Sequence, residues 1–321
     1  MFDFAIQNLL SPMVLFFVLG LIAALGRSDL SIPDAIAKFL AVYLLLSIGF
    51  RGGAEVNHHG LTGQLVWTIA AGVLLSAATP FAAYAALRAT TDLSATDAAS
   101  VAGHYGSISA VTFVAVTGVL SQMSIPYDGY LVAVAAAMET PAIFAALVIA
   151  RRNTASGTGN GDFLRHVAFN GSIVILLGAF AIGAITGQRG IAMLKPFILD
   201  SFAGFLCVFL LDMGIVAGRG LKQGWRHLAP PVCAFAVIMP LVGATFAAAL
   251  ATMIGLSIGS TAVLMTLAAS ASYIAVPAAM RLALPSANPS IALTLSLGVT
   301  FPFNLLIGIP LYISAAGRLA H

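Results

Sequence analysis

The chain has 321 residues, of which 60% are apolar and only 8% charged, against roughly 25% charged in an average soluble domain. With a mean hydropathy of +1.03, so few charges cannot cover a fold in water, and lipid is the expected solvent for most of the surface. A cytoplasmic enzyme, a secreted disulfide scaffold, a disordered chain and a nucleic-acid binder are excluded, and the formal net charge of +3 is explained by membrane topology.

The opening MFDFAIQNLL carries Asp3 and no Lys or Arg. The basic region of a cleaved signal is missing, so the apolar run that follows is expected to be a retained span. A bilayer core of about 30 Å takes about 20 helical residues. Apolar runs bounded by charges, Pro and Gly predict ten transmembrane helices, at about 11–27, 33–50, 62–87, 97–121, 128–150, 166–187, 197–217, 229–253, 260–281 and 289–315.

In the first half, span two closes on LLLSIGFRGG (44–53). The adjacent His58 and His59 fall in the loop after it; neighbours in sequence cannot share a helix face, so no metal site is expected there. Span four reads DAASVAGHYGSISAVTF, a poor lipid-facing helix, and Gly103 and Gly106 bracket a place where it can open. His104 there either lines a cavity or is a satisfied core histidine. Span five holds Glu139 among apolar residues, with Pro141 loosening the helix behind it. An ionisable group at the bilayer centre costs about 3 kcal/mol or more and usually marks function. The other reading is a protonated, hydrogen-bonded structural glutamate.

Residues 151–165, RRNTASGTGNGDFLR, form a polar linker that separates a five-span unit (1–150) from a second (166–321). Gly159–Asp162 matches the GxGD string of intramembrane aspartyl proteases by chance, because it lies in this linker and not in a helix. In the second half, Asp212 near the end of span seven reads as an interfacial charge beside Arg219. Span nine carries ASASYIAVPAAMR, with Ser270, Ser272, Tyr273 and a helix-breaking Pro277. Span ten carries Thr300-Phe301-Pro302, the counterpart of Glu139-Thr140-Pro141, with Asn304 one turn on. Glu139, Thr300 and Asn304 together offer hard oxygen ligands for Na+. Cys207 and Cys233 sit in apolar runs and predict no disulfide and no redox role.

The halves resemble each other in order: Leu45–Gly49 aligns with Leu210–Gly214, Leu19-Gly20 with Leu177-Gly178, and GSISAVT (106–112) with SASYIAVP (270–277). Five spans is an odd number, so the second unit enters from the opposite side, giving an all-α inverted repeat with broken helices four and nine. Ten of the 14 Lys and Arg fall in the loops after odd-numbered spans. That side is the cytoplasmic one, and both termini lie outside. Interrupted helices at matching places in two repeats point to a substrate site, where free N–H groups attract an anion and free carbonyls suit a small cation. No phosphate-binding Gly-x-x-x-x-Gly-Lys occurs, so energy is expected from an ion gradient.

SPMVLFFVLGLIAALGRSDLSIPDAIAKFLAVYLLLSIGFRGG (11–53), METPA (138–142) and LPSANPSIALTLSLGVTFPFNLLIGIPLY (284–312) resemble the sodium-dependent bicarbonate transporter family known from cyanobacteria. The similarity runs in order over nearly the whole chain. It implies a bacterial inner-membrane permease with core and gate subdomains, a homotrimer, and elevator-like movement of the core. Carried over by motif, the anion site falls on Gly106, Ser107 and Ser109 of span four and Ser270, Ala271, Ser272 and Tyr273 of span nine, with Glu139 as the intramembrane acid of the sodium site. The cyanobacterial members have an aspartate after the serine run, where this chain has Tyr273. Its linker is also shorter, which leaves control by their PII-like partner open.

The expected function is therefore Na+-coupled uptake of a small monoanion, bicarbonate first, with Na+ as coupling ion, no other cofactor, and no enzymatic activity. The alternatives are a related organic-anion carrier or a cation/proton antiporter, then a membrane enzyme or a sensor that binds without transport.

Overall fold

The computed structural model describes residues 10, 12–59, 63–151, 171–224, 229–273, 276, 280, 284 and 286–319. The linker beyond Arg151, the GxGD string and Pro277 lie outside the described residues. Everything regular in the described chain is helical. In order come α1 (Pro12–Leu25), α2 (Asp34–His59), α3 (Gly63–Thr90), α4 (Ala95–Gly106), α5 (Ala110–Gln122), α6 (Leu131–Arg151), α7 (Gly171–Lys195), α8 (Phe202–Gly224), α9 (Pro230–Ile254), α10 (Ile258–Ala268) and α11 (Pro289–Leu319). Seven stretches are long and apolar enough to cross a membrane, and α1 and α10 are shorter apolar helices. The protein is an all-α, multi-spanning membrane fold.

Local chemistry sets the helix ends. Ser94 caps α4 by accepting from Asp97 N at 3.0 Å, and donates to the Asp97 carboxylate at 2.7 Å. The other Asp97 oxygen accepts from the backbone N–H of Asn288 at 2.7 Å. Asn288 in turn caps α11, whose first residue is Pro289, where a missing N–H costs nothing. Asn288-Pro289-Ser290 is thus a helix start clamped to the start of α4. Gly255 ends α9 at φ +76°, its N–H bonded to Ala251 O. Inside α7, Gly187 at φ +55° interrupts the helix.

Two groups of helices emerge from the packing. In one, α1 lies along α8 and α2 along α7. A Cβ on Gly20 would sit 2.1 Å from Leu211 O, and one on Gly214 2.1 Å from Phe17 O. The α2–α7 crossing repeats this arrangement: Gly53 would meet Phe180 O at 1.9 Å and Gly183 would meet Phe50 O at 2.0 Å. Backbones this close exclude any side chain, the usual device for joining helices in lipid. The other group is built on α3 with α4 and α6, and on α9 with α10 and α11. The groups meet where α8 crosses α11, where Phe17 packs edge-on against Phe301 (centroids 5.4 Å apart) and where Leu206 packs on Gly118.

Several sequence boundaries shift. Helix α2 runs on to His59, so His58 and His59 are helical and not in a loop; its Arg51 lies over the Phe202 ring at 5.8 Å, and Asn57 donates to Ala184 O of α7. These contacts carry the helix past its apolar run. Asp212 is 6% exposed, packed within the α1–α8 group with Arg219 and Asp34 as charged neighbours. In α11 the ladder widens to π-helix at Thr294–Thr300 and Asn304–Gly308, on either side of Phe301–Phe303. Pro302 sits between the two π segments, and π turns of this kind concentrate at functional positions.

Candidate functional site: the crossing of two unwound segments

Helix α4 stops at Gly106 and α5 starts at Ala110. Ser107 between them is extended (φ −94°, ψ 152°), and Ser109 (φ −100°, ψ 112°) caps α5 by accepting from Thr112 N at 3.2 Å. Helix α10 stops at Ala268, and residues 270–272 are not helical. The two unwound segments lie against each other. Ser272 N donates to His104 O at 2.8 Å. Ser109 N donates to Ser270 Oγ at 2.9 Å, and Ser270 Oγ donates onward to Leu267 O at 2.7 Å. One strand therefore reaches the last turn of its partner directly and the other reaches it through a hydroxyl. Ser107, Ser109, Ser270, Ala271 and Ser272 are all at most 3% exposed, so the crossing is closed to solvent.

The individual residues divide by role. Gly106 faces Pro80, whose ring carbons would lie 2.3 and 2.6 Å from an added Cβ, and Gly103 would press on Ala146. Both glycines are packing positions between α4, α3 and α6. The Ser107 hydroxyl donates to Glu139 O at 3.3 Å. Nδ1 of His104 donates to Ser100 O at 2.8 Å, one turn back, which makes it a satisfied core histidine at that nitrogen. The Tyr273 hydroxyl is buried without a hydrogen bond, although the Ser109 side chain lies beside it. An unmade buried donor costs about 1–3 kcal/mol, so here the crossing holds a donor with no acceptor among the described residues.

The three expected sodium ligands surround the crossing at separate places. Glu139 is 6% exposed and tied by its backbone to Ser107. Thr300 donates to Ala236 O at 2.7 Å, so at 2.6 Å it accepts from the Tyr105 hydroxyl. Asn304 donates to Ala269 O at 2.8 Å, and its Oδ1 accepts from Tyr312 at 3.0 Å. No hydrogen bond joins Glu139 to Thr300 or Asn304. Each of the latter two oxygens keeps one lone pair. Among the described residues no group of three His, Cys, Asp or Glu could hold a metal.

Sequence reading missed Ser76 and Tyr312, and gave Tyr105 no role beyond the polar string of span four. Ser76 of α3 donates to Met138 O at 2.5 Å and accepts from Ala142 N at 3.2 Å. It wedges open the turn of α6 that carries Glu139, on which Pro141 also acts. The available signal was a serine one turn before Pro80 in an apolar helix, at the same spacing as Ala236 before Pro240. Tyr105 packs on Phe235 at 4.8 Å, and Tyr273 on Phe301 at 5.9 Å.

The family model for the Na+-dependent bicarbonate transporter superfamily matches residues 12–317. No curated protein matches the chain.

Proposed function

As a member of the Na+-dependent bicarbonate transporter superfamily, which it matches over residues 12–317, the chain is a Na+-coupled secondary transporter of a small anion and not an enzyme, and we propose that bicarbonate is the anion and that it binds where the two unwound segments cross. The observation that carries this reading is the pair of links Ser272 N–His104 O and Ser109 N–Ser270 Oγ. They hold two interrupted helices together in a place that lipid-facing helices do not tolerate.

The chemistry suits a small planar monoanion. Ser109 and Ser272 keep hydroxyl hydrogens to donate, Tyr273 presents an unmade O–H, Ser107 turns its hydroxyl from the Glu139 carbonyl to the anion, and α5 begins at Ala110 with the positive end of its dipole at the crossing. Ser270, Ala271 and Gly106 shape the site: the first bridges the segments, the small side chain of the second leaves room, and the third lets the end of α4 pack against Pro80. Where the cyanobacterial relatives carry an aspartate, Tyr273 supplies a neutral donor. An anion here is costly unless its charge is compensated. Na+ held by the Glu139 carboxyl and by the remaining lone pairs of Thr300 and Asn304 supplies that compensation, so each ion raises the affinity for the other by the same factor.

The architecture follows the ten-span, five-plus-five inverted repeat, divided at the 151–165 linker, that the sequence suggests. Matching features recur about 160 residues apart: Gly20 and Gly183, Gly53 and Gly214, Pro80 and Pro240, Ser107 and Ser270, Pro141 and Pro302. The bonds recur too. Ser76 of α3 donates to α6, and Thr300 of α11 donates to Ala236 of α9, the position matching Ser76. The helix pairs α1–α8 and α2–α7 act as the gate, and the remaining helices as a core that slides past it. Both termini face outward, the linker faces the cytoplasm, and three copies assemble through the gate helices. Lipid is the surrounding partner; with so short a linker, a PII-like regulator is not part of this reading.

The test is uptake of labelled bicarbonate into proteoliposomes with and without an inward Na+ gradient, with small carboxylates as competitors. Na+-driven accumulation that larger organic anions fail to inhibit is expected. Accumulation of a carboxylate in preference to bicarbonate would reassign the substrate, and flux indifferent to Na+ would overturn the reading.

A further inference from the structure

A second place for the anion lies at the far end of α5 from the crossing. A cavity of about 580 Å³ opens there between Arg51, Gly52 and Val56 of α2, the α5–α6 connection from Ser121 to Tyr130, and Ser257 ahead of α10. One wall belongs to the gate and the others to the core. At its edge the two bodies touch closely: a Cβ on Gly52 would lie 2.6 Å from Gly129 O. The cavity thus sits on the seam along which the two bodies part.

Its charges are unevenly placed. Arg51 lines the cavity and lies over the face of Phe202 at 5.8 Å. Stacking on a ring face uses none of the guanidinium's five N–H donors. Asp128 also lines the cavity and is held by hydrogen bonds: its Oδ2 accepts from Ser260 Oγ at 2.6 Å, and its backbone N–H donates to Ser260 Oγ at 2.9 Å. Helix α5, 13 residues long and so about 20 Å from end to end, runs from the cavity to Ser109.

We propose that this cavity is a vestibule in which Arg51 collects the small monoanion before it reaches the crossing. The proposal rests on the transport reading above and adds a second anion position to it. Arg51 acts as a fixed positive charge at a low-dielectric wall, raising the local anion concentration and setting apparent affinity without touching the translocation step. Asp128 works in the opposite sense and sets how strong the attraction becomes.

Two measurements test it. In the first, Cys207 and Cys233 are replaced by Ser, Ser121 by Cys, and the reaction rates of that cysteine with an anionic and a cationic methanethiosulfonate are compared. Arg51→Gln is expected to lower the anionic-to-cationic rate ratio roughly three- to sevenfold per reagent charge, the effect of a unit charge about 7 Å away at an effective permittivity of about 40–80. Asp128→Asn should raise it. In the second, Arg51→Gln raises the KM for Na+-driven anion uptake by a similar factor with kcat unchanged, Asp128→Asn lowers KM, and Arg51→Lys stays near wild type. Opposite shifts from the two neutralisations cannot come from misfolding. An unchanged rate ratio in Arg51→Gln overturns the vestibule. If the ratio stays unchanged while wild-type protein shows Na+-driven uptake, the vestibule alone fails; if the ratio moves as expected but wild-type protein shows no Na+-driven uptake, the transport reading fails and takes the vestibule with it.

Discussion

Ser270 and Ser272 are nearly adjacent hydroxyls with different duties. Ser270 Oγ bridges Ser109 N to Leu267 O, so Ser270→Ala strands the buried Ser109 N–H at about 1–3 kcal/mol, while Leu267 O keeps the backbone N–H of residue 270. Ser272 joins the crossing through its backbone N–H, which Ser272→Ala keeps. Thermal melting in detergent should therefore fall by several degrees for Ser270→Ala and stay put for Ser272→Ala, while uptake assays show weakened anion affinity in the second. A full-affinity Ser272→Ala variant would remove its hydroxyl from the anion site. Glu139→Gln keeps shape and hydrogen-bonding capacity but removes the charge; the Na+ concentration for half-maximal uptake should rise at least tenfold, and an unaltered Na+ titration would count against Glu139 as a ligand.

Glycine spacing on paired helices separates close crossings from lipid faces. Gly183 would place a Cβ 2.0 Å from the Phe50 carbonyl, whereas nothing lies within 4 Å of one on Gly178. Gly183→Ala should cost several kcal/mol or prevent α2 and α7 from docking, as overpacking does, while Gly178→Ala should be silent; melting temperatures and folded yield read the difference. The same contrast bears on the repeat proposed above. String identity pairs Gly20 with Gly178 and Gly214 with Gly49, but the helix crossings match Gly20 to Gly183 and Gly214 to Gly53, about one helical turn away. Runs of Ala, Leu and Gly look alike after a shift of one turn, and a backbone contact does not.

Movement between the two bodies is testable where α8 meets α11. Leu221 Cγ lies 3.1 Å from where a Cβ on Gly298 would be, close to the roughly 3 Å from a cysteine Cβ to the far sulfur of a disulfide. Leu221→Cys with Gly298→Cys should cross-link under oxidation and abolish uptake, and reductant should restore it; a cross-linked protein that still transports would exclude sliding of these two elements. The stoichiometry of the whole cycle is read from voltage. One Na+ per monoanion is electroneutral, so flux at clamped potentials should be flat, whereas a second Na+ adds about 2.3 kcal/mol per 100 mV to the driving force.

Composition and hydropathy are sums over neighbours along the chain. The lipid environment, most spans, the polar strings at 104–109 and 270–273, the lone intramembrane acid Glu139 and the family resemblance were all legible without coordinates. Contacts between distant residues were not: the Ser272–His104 link, the Ser76 wedge beneath Glu139, the Asp97 clamp on Asn288 and the cavity lined by both Arg51 and Asp128 each depend on chain segments dozens to hundreds of residues apart. A serine or glycine in an apolar helix has the same local signature whether it faces lipid, packs against a backbone or bridges two broken helices. Its partner across the fold selects among these, and that partner is fixed by how the helices pack.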